Sequence, residues 1–158
     1  MHDAAVDELV ANAHLIADVV DAHPHDALHQ RPAPDEWSIA EIIGHVRASD
    51  AIWTPRILVT VVHDGVTMPD VDERALQDVL HAGGLTLTDQ ATLFVFGRTE
   101  LVGILRSLTE SEWSNTCRHT TKGQMAVIDL VDVMLRHERE HATEIRAAAA
   151  RLGESFAP

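Results

Sequence analysis

Apolar residues in this chain recur every three or four positions over four long stretches, and no segment alternates them convincingly every second residue. That spacing puts one apolar stripe on each of four helices, and a helix with a single stripe must bury it against other helices. The chain is therefore expected to be all-α, a four-helix bundle formed as one domain over residues 1–158, with a long crossover between its second and third helices. With 158 residues, 46% of them hydrophobic, it can bury a core without covalent staples.

The breakers between the stripes set the boundaries. Val6, Leu9, Val10, Ala13, Ile16, Ala17 and Val20 define a first helix over about residues 3–22. Pro24, Pro32 and Pro34 then mark a connecting loop. Ser38 followed by Glu41 reads as a capping box, so a second helix begins at Ser38 and continues to about His63, with Pro55 expected to kink it. From Gly65 to Thr88 the periodicity weakens around Pro69 and Gly83-Gly84, leaving a crossover with one short helical turn over 72–80. A third helix capped by Thr86 or Thr88 carries Leu93, Phe94, Phe96, Leu101, Ile104, Leu105 and Leu108. After a second polar loop, a fourth helix spans about residues 124–152. Glu36-Trp37-Ser38 recurs as Glu112-Trp113-Ser114 before the second and fourth helices, and each tryptophan reads as a hydrophobic plug at a bundle end.

Charge and cysteine content exclude several classes of function. The formal net charge is −13, and Lys122 is the sole lysine, so the average field repels phosphate backbones and nucleic acid is not expected as a partner. Acidic residues interrupt the N-terminal apolar row, which therefore reads as an amphipathic helix; no membrane span is expected. A single cysteine, Cys117, allows no intrachain disulfide and suits a cytoplasmic setting.

The chemistry lies in the histidines. His137 and His141 in HEREH stand one helical turn apart on one face. Extending the row Val127, Leu130, Met134 by steps of three and four lands on His137, His141, Ile145 and Ala148, so the pair points inward. Two adjacent imidazoles in an apolar core are costly without partners, and a metal ion satisfies both. His45 lies on the corresponding row of the second helix, with Ile42, Ser49 and Ile52, and completes a three-histidine set for one divalent ion with an open position. HEREH also matches the HExxH of zinc peptidases, but it stands late in the chain with no third ligand after it and no strand to hold a peptide. Glu138 is therefore expected to point outward or flank the site. Glu41, one turn before His45, can serve as an outer partner of a ligand imidazole, although the capping box already accounts for it. His23, His25 and His29 read as polar loop surface, and Arg47, Arg56, Arg98 and Arg136 as candidates for the mouth of a cavity.

The string DEWSIAEIIGHVRASD followed by HEREHATEI resembles the DinB-like superfamily of four-helix-bundle metalloenzymes, and the likeness extends over essentially the whole chain. Carried over by position, it implies His45, His137 and His141 as the ligands of a zinc, nickel, iron or manganese ion with an exchangeable position, often in a homodimer. It further implies a thiol-dependent S-transferase that joins a small-molecule thiol to an electrophilic substrate, similar to bacillithiol- and mycothiol-dependent enzymes such as maleylpyruvate isomerase. Where that isomerase group has a glutamate ligand, this chain has His137. The competing expectation is a non-catalytic bundle in which the ion only ties two helices together.

Overall fold

The computed structural model describes residues 2–155. The first apolar row folds as a helix over Asp3–Ala22 (α1), and the proline-rich loop after it holds a single turn, His25–Leu28 (α2), whose Ala27 and Leu28 are buried. The second long helix is Ile39–Val62 (α3), which continues through Pro55. Its start is the capping box that the sequence predicts: the Glu41 amide donates to Ser38 Oγ (3.2 Å) and the Ser38 amide to Glu41 Oε2 (2.8 Å). The crossover contains a short strand, Val66–Met68 (β1), and a ten-residue helix, Glu73–Ala82 (α4), capped by Asp72. Thr86 caps the third long helix, Leu87–Ser107 (α5). A further turn, Glu110–Trp113 (α6), leads into strands Thr116–His119 (β2) and Gly123–Ala126 (β3), and the last helix is Val127–Ser155 (α7).

The all-α four-helix bundle is thus present, and the expectation of no strands is corrected. β1 runs parallel to β2, and β2 pairs antiparallel with β3 through a turn where Gly123 takes φ +81°. Residues 124–126, expected as the start of the last helix, belong to this hairpin instead. At three or four residues, each strand is too short for alternation to show in sequence. Among the described residues, no helix is long and apolar enough to cross a membrane.

α1 packs against α5 and α7, and α3 against the same two helices, so α1 and α3 face each other across a diagonal. β1 follows α3 while β3 precedes α7, which makes those helices antiparallel and sets the sheet at one end of the bundle. The core falls into two apolar clusters. The one at the sheet end contains Leu9, Ile57, Leu101, Trp113 and Leu130; the other contains Ile16, Ile43, Phe94 and Ile145. Between them each long helix contributes one polar residue: Asn12, Asp50, Arg98 and Glu138. Arg98 Nη2 donates to Glu138 Oε1 (2.5 Å) and Asp50 Oδ1 (3.0 Å), Nη1 approaches Met134 Sδ (2.8 Å), and Asn12 Nδ2 donates to Glu138 Oε2 (3.4 Å).

Two expectations fail here for one reason. The inward row of α5 runs Ala91, Phe94, Arg98, Leu101, Leu105, so an arginine occupies a core position while Leu93 and Phe96 face solvent at 49% and 70% exposure. Arg98 is accordingly not at a cavity mouth. Arg56 is also buried, lying 4.7 Å from the Trp53 ring and donating to the Pro69 carbonyl (2.6 Å).

Removing one member of a buried ion pair strands the other in a dry core, so Arg98→Met is expected to cost about 3–5 kcal/mol in urea unfolding. Adding Glu138→Leu should recover most of that loss. The capping box gives a pH-dependent expectation. Glu41 is held down to about 2, first by the Arg31 guanidinium, against its ordinary 4.5. Its contribution is therefore present above pH 4.5 and is lost as pH falls from there toward 2. Because Arg31 and Glu41 are both substantially solvated, Glu41→Gln should cost only about 1 kcal/mol at pH 7 and almost nothing at pH 2, read from urea midpoints at the two pH values.

Candidate metal centre

His45 sits two turns into α3, and His137 and His141 lie on the facing turns of the antiparallel α7. Their Nε2 atoms converge. His137 Nε2 is 2.9 Å from His45 Nε2 and 3.2 Å from His141 Nε2, and one nitrogen of each ring lies within 4.8 Å of the other two. The rings are packed edge to face or tilted, with centroids 4.5–4.9 Å apart. His45 is buried and the other two are half-buried.

The electrostatics favour the neutral form of His45 and His137. Burial is the main cause that holds the His137 imidazole down to about 4, with His141 adding to it and the Glu73 carboxylate opposing. Burial likewise lowers His45, again against Glu73. Neutral imidazoles present lone pairs, which is the form a cation needs. The tautomer is fixed at one of them: His141 Nδ1 lies 2.8 Å from Glu144 Oε2, so Nδ1 carries the proton, donates it to the carboxylate, and leaves the Nε2 lone pair facing the cluster. Three nitrogens brought this close, with too few protons among them to pair them all, fit a shared divalent ion. Imidazole nitrogens are borderline ligands that suit zinc, nickel or iron without selecting among them.

Trp37 is more than a plug. Its ring lies 5.0 Å from that of His45 and stacks over His141 at 6.2 Å, whereas Trp113 does fill the sheet-end core, stacked on His2 at 4.2 Å. Trp37, Ile42, His141, Glu144 and Ala148 line a cleft of about 530 Å³ that reaches the cluster through His141. At its rim Arg151 pairs with Glu36 (2.8 Å).

The structure also brings in residues that the sequence reading passed over or misplaced. Glu73, in the first turn of α4, has Oε1 at 3.7 Å from His137 Nε2. Glu138, expected outward, is buried at 4% exposure on Arg98, and burial pushes its carboxyl up to about 7 against the pull of that guanidinium. It is committed to the core and does not face the histidine cluster, so HEREH lacks the free carboxylate of a peptidase. Glu41 remains with Ser38 and Arg31. Cys117 lies buried in the sheet-end core. His25 and His29 line a separate cleft of about 610 Å³ with His81 and Arg47. Glu144 was legible in the sequence as the residue three beyond His141; Glu73 was not, because its proximity comes from the crossover.

Comparison with known proteins agrees with this layout. The sequence profile of the DinB superfamily matches residues 8–145. YfiT from Bacillus subtilis, described as a probable metal-dependent hydrolase with an unusual four-helix bundle topology, superposes with a TM-score of 0.82 at 16% identity, covering 96% of this chain and 87% of its own. A DinB-like protein from the same organism, YjoA, gives a TM-score of 0.68 at 15% identity, covering 98% of this chain and 94% of its own. No curated protein sequence matches the chain.

Metal analysis after purification without chelators is expected to give one divalent ion per chain. His137→Ala should abolish that stoichiometry. Glu144→Ala, which removes the acceptor at His141 Nδ1, should weaken affinity by about 10–100-fold in a competition titration.

Proposed function

This chain belongs to the DinB superfamily, and from that premise we propose that it is a metal-dependent enzyme acting on small molecules, with His45, His137 and His141 holding the ion. The observation that carries the reading is the junction of the three-imidazole cluster with the Trp37-lined cleft. A purely structural site is closed by four protein ligands, whereas three neutral imidazoles beside a cavity leave room for a reactant.

An ion held by three neutral ligands keeps its full charge and supplies Lewis acidity that makes a thiol or water reactive near neutral pH. The chain's own residues do the rest. The three imidazoles fix where the nucleophile meets the electrophile, and Glu144 holds one of them in the binding tautomer. Trp37 and Ile42 give the cleft an apolar wall that excludes water from one side of the reactants. The preferred reaction is S-transfer, in which the sulfur of a low-molecular-weight thiol forms a C–S bond to an electrophilic small molecule held in the cleft, the thiol proton passes to solvent, and the leaving group departs with the electron pair of the bond it breaks. A second reading, hydrolysis, is favoured by the description of YfiT and by the Glu73 carboxylate beside His137.

Incubating the metal-loaded chain with monobromobimane or chlorodinitrobenzene and a panel of cellular thiols is expected to give metal-dependent conjugation that His137→Ala lacks. Metal-dependent cleavage of a p-nitrophenyl ester without conjugation would select the hydrolase. Neither activity would leave the ion a structural tie between α3 and α7.

A further inference from the structure

Among the described residues, Glu73 is a half-buried acidic side chain beside the histidine cluster with a buried oxygen that makes no hydrogen bond. Its Oε1 is buried and accepts no hydrogen bond, although the rest of the residue is half-buried, and it lies 3.7 Å from His137 Nε2. A carboxylate oxygen left unpaired in a buried spot is costly, so its position needs a donor that arrives from elsewhere. Of the other carboxylates around the cluster, Glu41 is held by Ser38 and Arg31, Glu144 by His141, and Glu138 by Arg98 and Asn12, while Glu140 is exposed to solvent.

The placement of Glu73 is built into the fold. The Asp72 carboxylate caps α4 by accepting from the amides of Arg74 and Ala75, both at 3.1 Å, which fixes the first turn where Glu73 sits. Four residues on, Gln77 Nε2 donates to the Glu41 carbonyl (3.2 Å) and ties the same face of α4 to α3. Glu73 is nevertheless not the equal of the histidines. The set of groups with ligating atoms mutually within 4.8 Å contains the three imidazoles and does not include it, so it stands beside the ion's place and not on it.

Resting on the metal-dependent reading above, we infer that Glu73 is the anionic hydrogen-bond acceptor for the nucleophile: it receives the O–H or S–H of the water or thiol that joins the ion and disfavours anions that bring no proton. Such a group touches the reactant, and its charge selects neutral, proton-bearing partners over anionic ones.

Azide is a suitable probe, since it binds metal ions but offers no proton. With the full-length chain loaded with Co(II), Glu73→Gln is expected to keep one ion per chain, with affinity within about tenfold of wild type. Azide affinity should rise by about fivefold or more once the negative charge beside the binding position is removed, read from the visible spectrum. The thiol-conjugation or ester-cleavage rate should fall by about 10–100-fold, with partial recovery in Glu73→Asp. A loss of Co(II) affinity as large as that of His45→Ala would make Glu73 a direct ligand and overturn the inference. Unchanged azide affinity in Glu73→Gln, with Co(II) bound normally by wild type, would overturn it while leaving the three-histidine centre standing. A wild-type chain that takes up no Co(II) would overturn both.

Discussion

The buried guanidinium of Arg98 is the interaction on which the rest of this bundle depends. It sits at 1% exposure between two carboxylates, and through Asn12 the network reaches all four long helices. Desolvating such a group is expensive, and the attraction in a dry interior repays the cost only when the geometry is good. Its value lies in registration. Apolar stripes slide past one another with little penalty, whereas an arginine that must meet Asp50 on α3 and Glu138 on α7 allows one axial setting of each helix. The two apolar clusters above and below are then placed relative to this layer.

That setting also determines what the other side of α7 presents. Consecutive helical residues point about 100° apart, so with Glu138 locked inward on Arg98, His137 is directed toward α3, and His141 follows one turn later. The resemblance of HEREH to a peptidase motif is therefore accidental in function but informative in geometry. The residue that would be a catalytic base there is here the anchor that aims its neighbours. The apparent conflict of an acidic side chain beside the clustered histidines resolves once the two faces of the turn are separated.

Much of this was legible in sequence because it depends on local spacing. The long helices, the Ser38–Glu41 capping box and the inward row through His137, His141, Ile145 and Ala148 all follow from neighbours a few residues apart, and the histidine cluster needed only two such rows to face each other. The sheet was not legible, since β1 and β2 pair residues about fifty positions apart over three-residue runs. Arg98 was misread because charge alone argues for the surface, and only the three partners supplied by other helices make the core tolerable. Glu73 lies in a segment whose pattern is weak, and its place beside His137 exists only once the crossover has folded back. Trp37 read as a plug because stacking on two imidazoles from different helices leaves no trace in spacing.

The crossover helix that carries Glu73 differs from the others in one respect: none of its residues is fully buried. It lies along α3, where Leu76 is half-buried against the core and the Gln77 side-chain amide donates to the Glu41 carbonyl. A segment that buries few apolar side chains is the kind that opens locally at a lower free energy than the whole fold. The histidine cluster and the carboxylate beside it therefore rest on unequal supports: the imidazoles on two long helices whose inner faces are buried, and Glu73 on a helix that buries none of its residues.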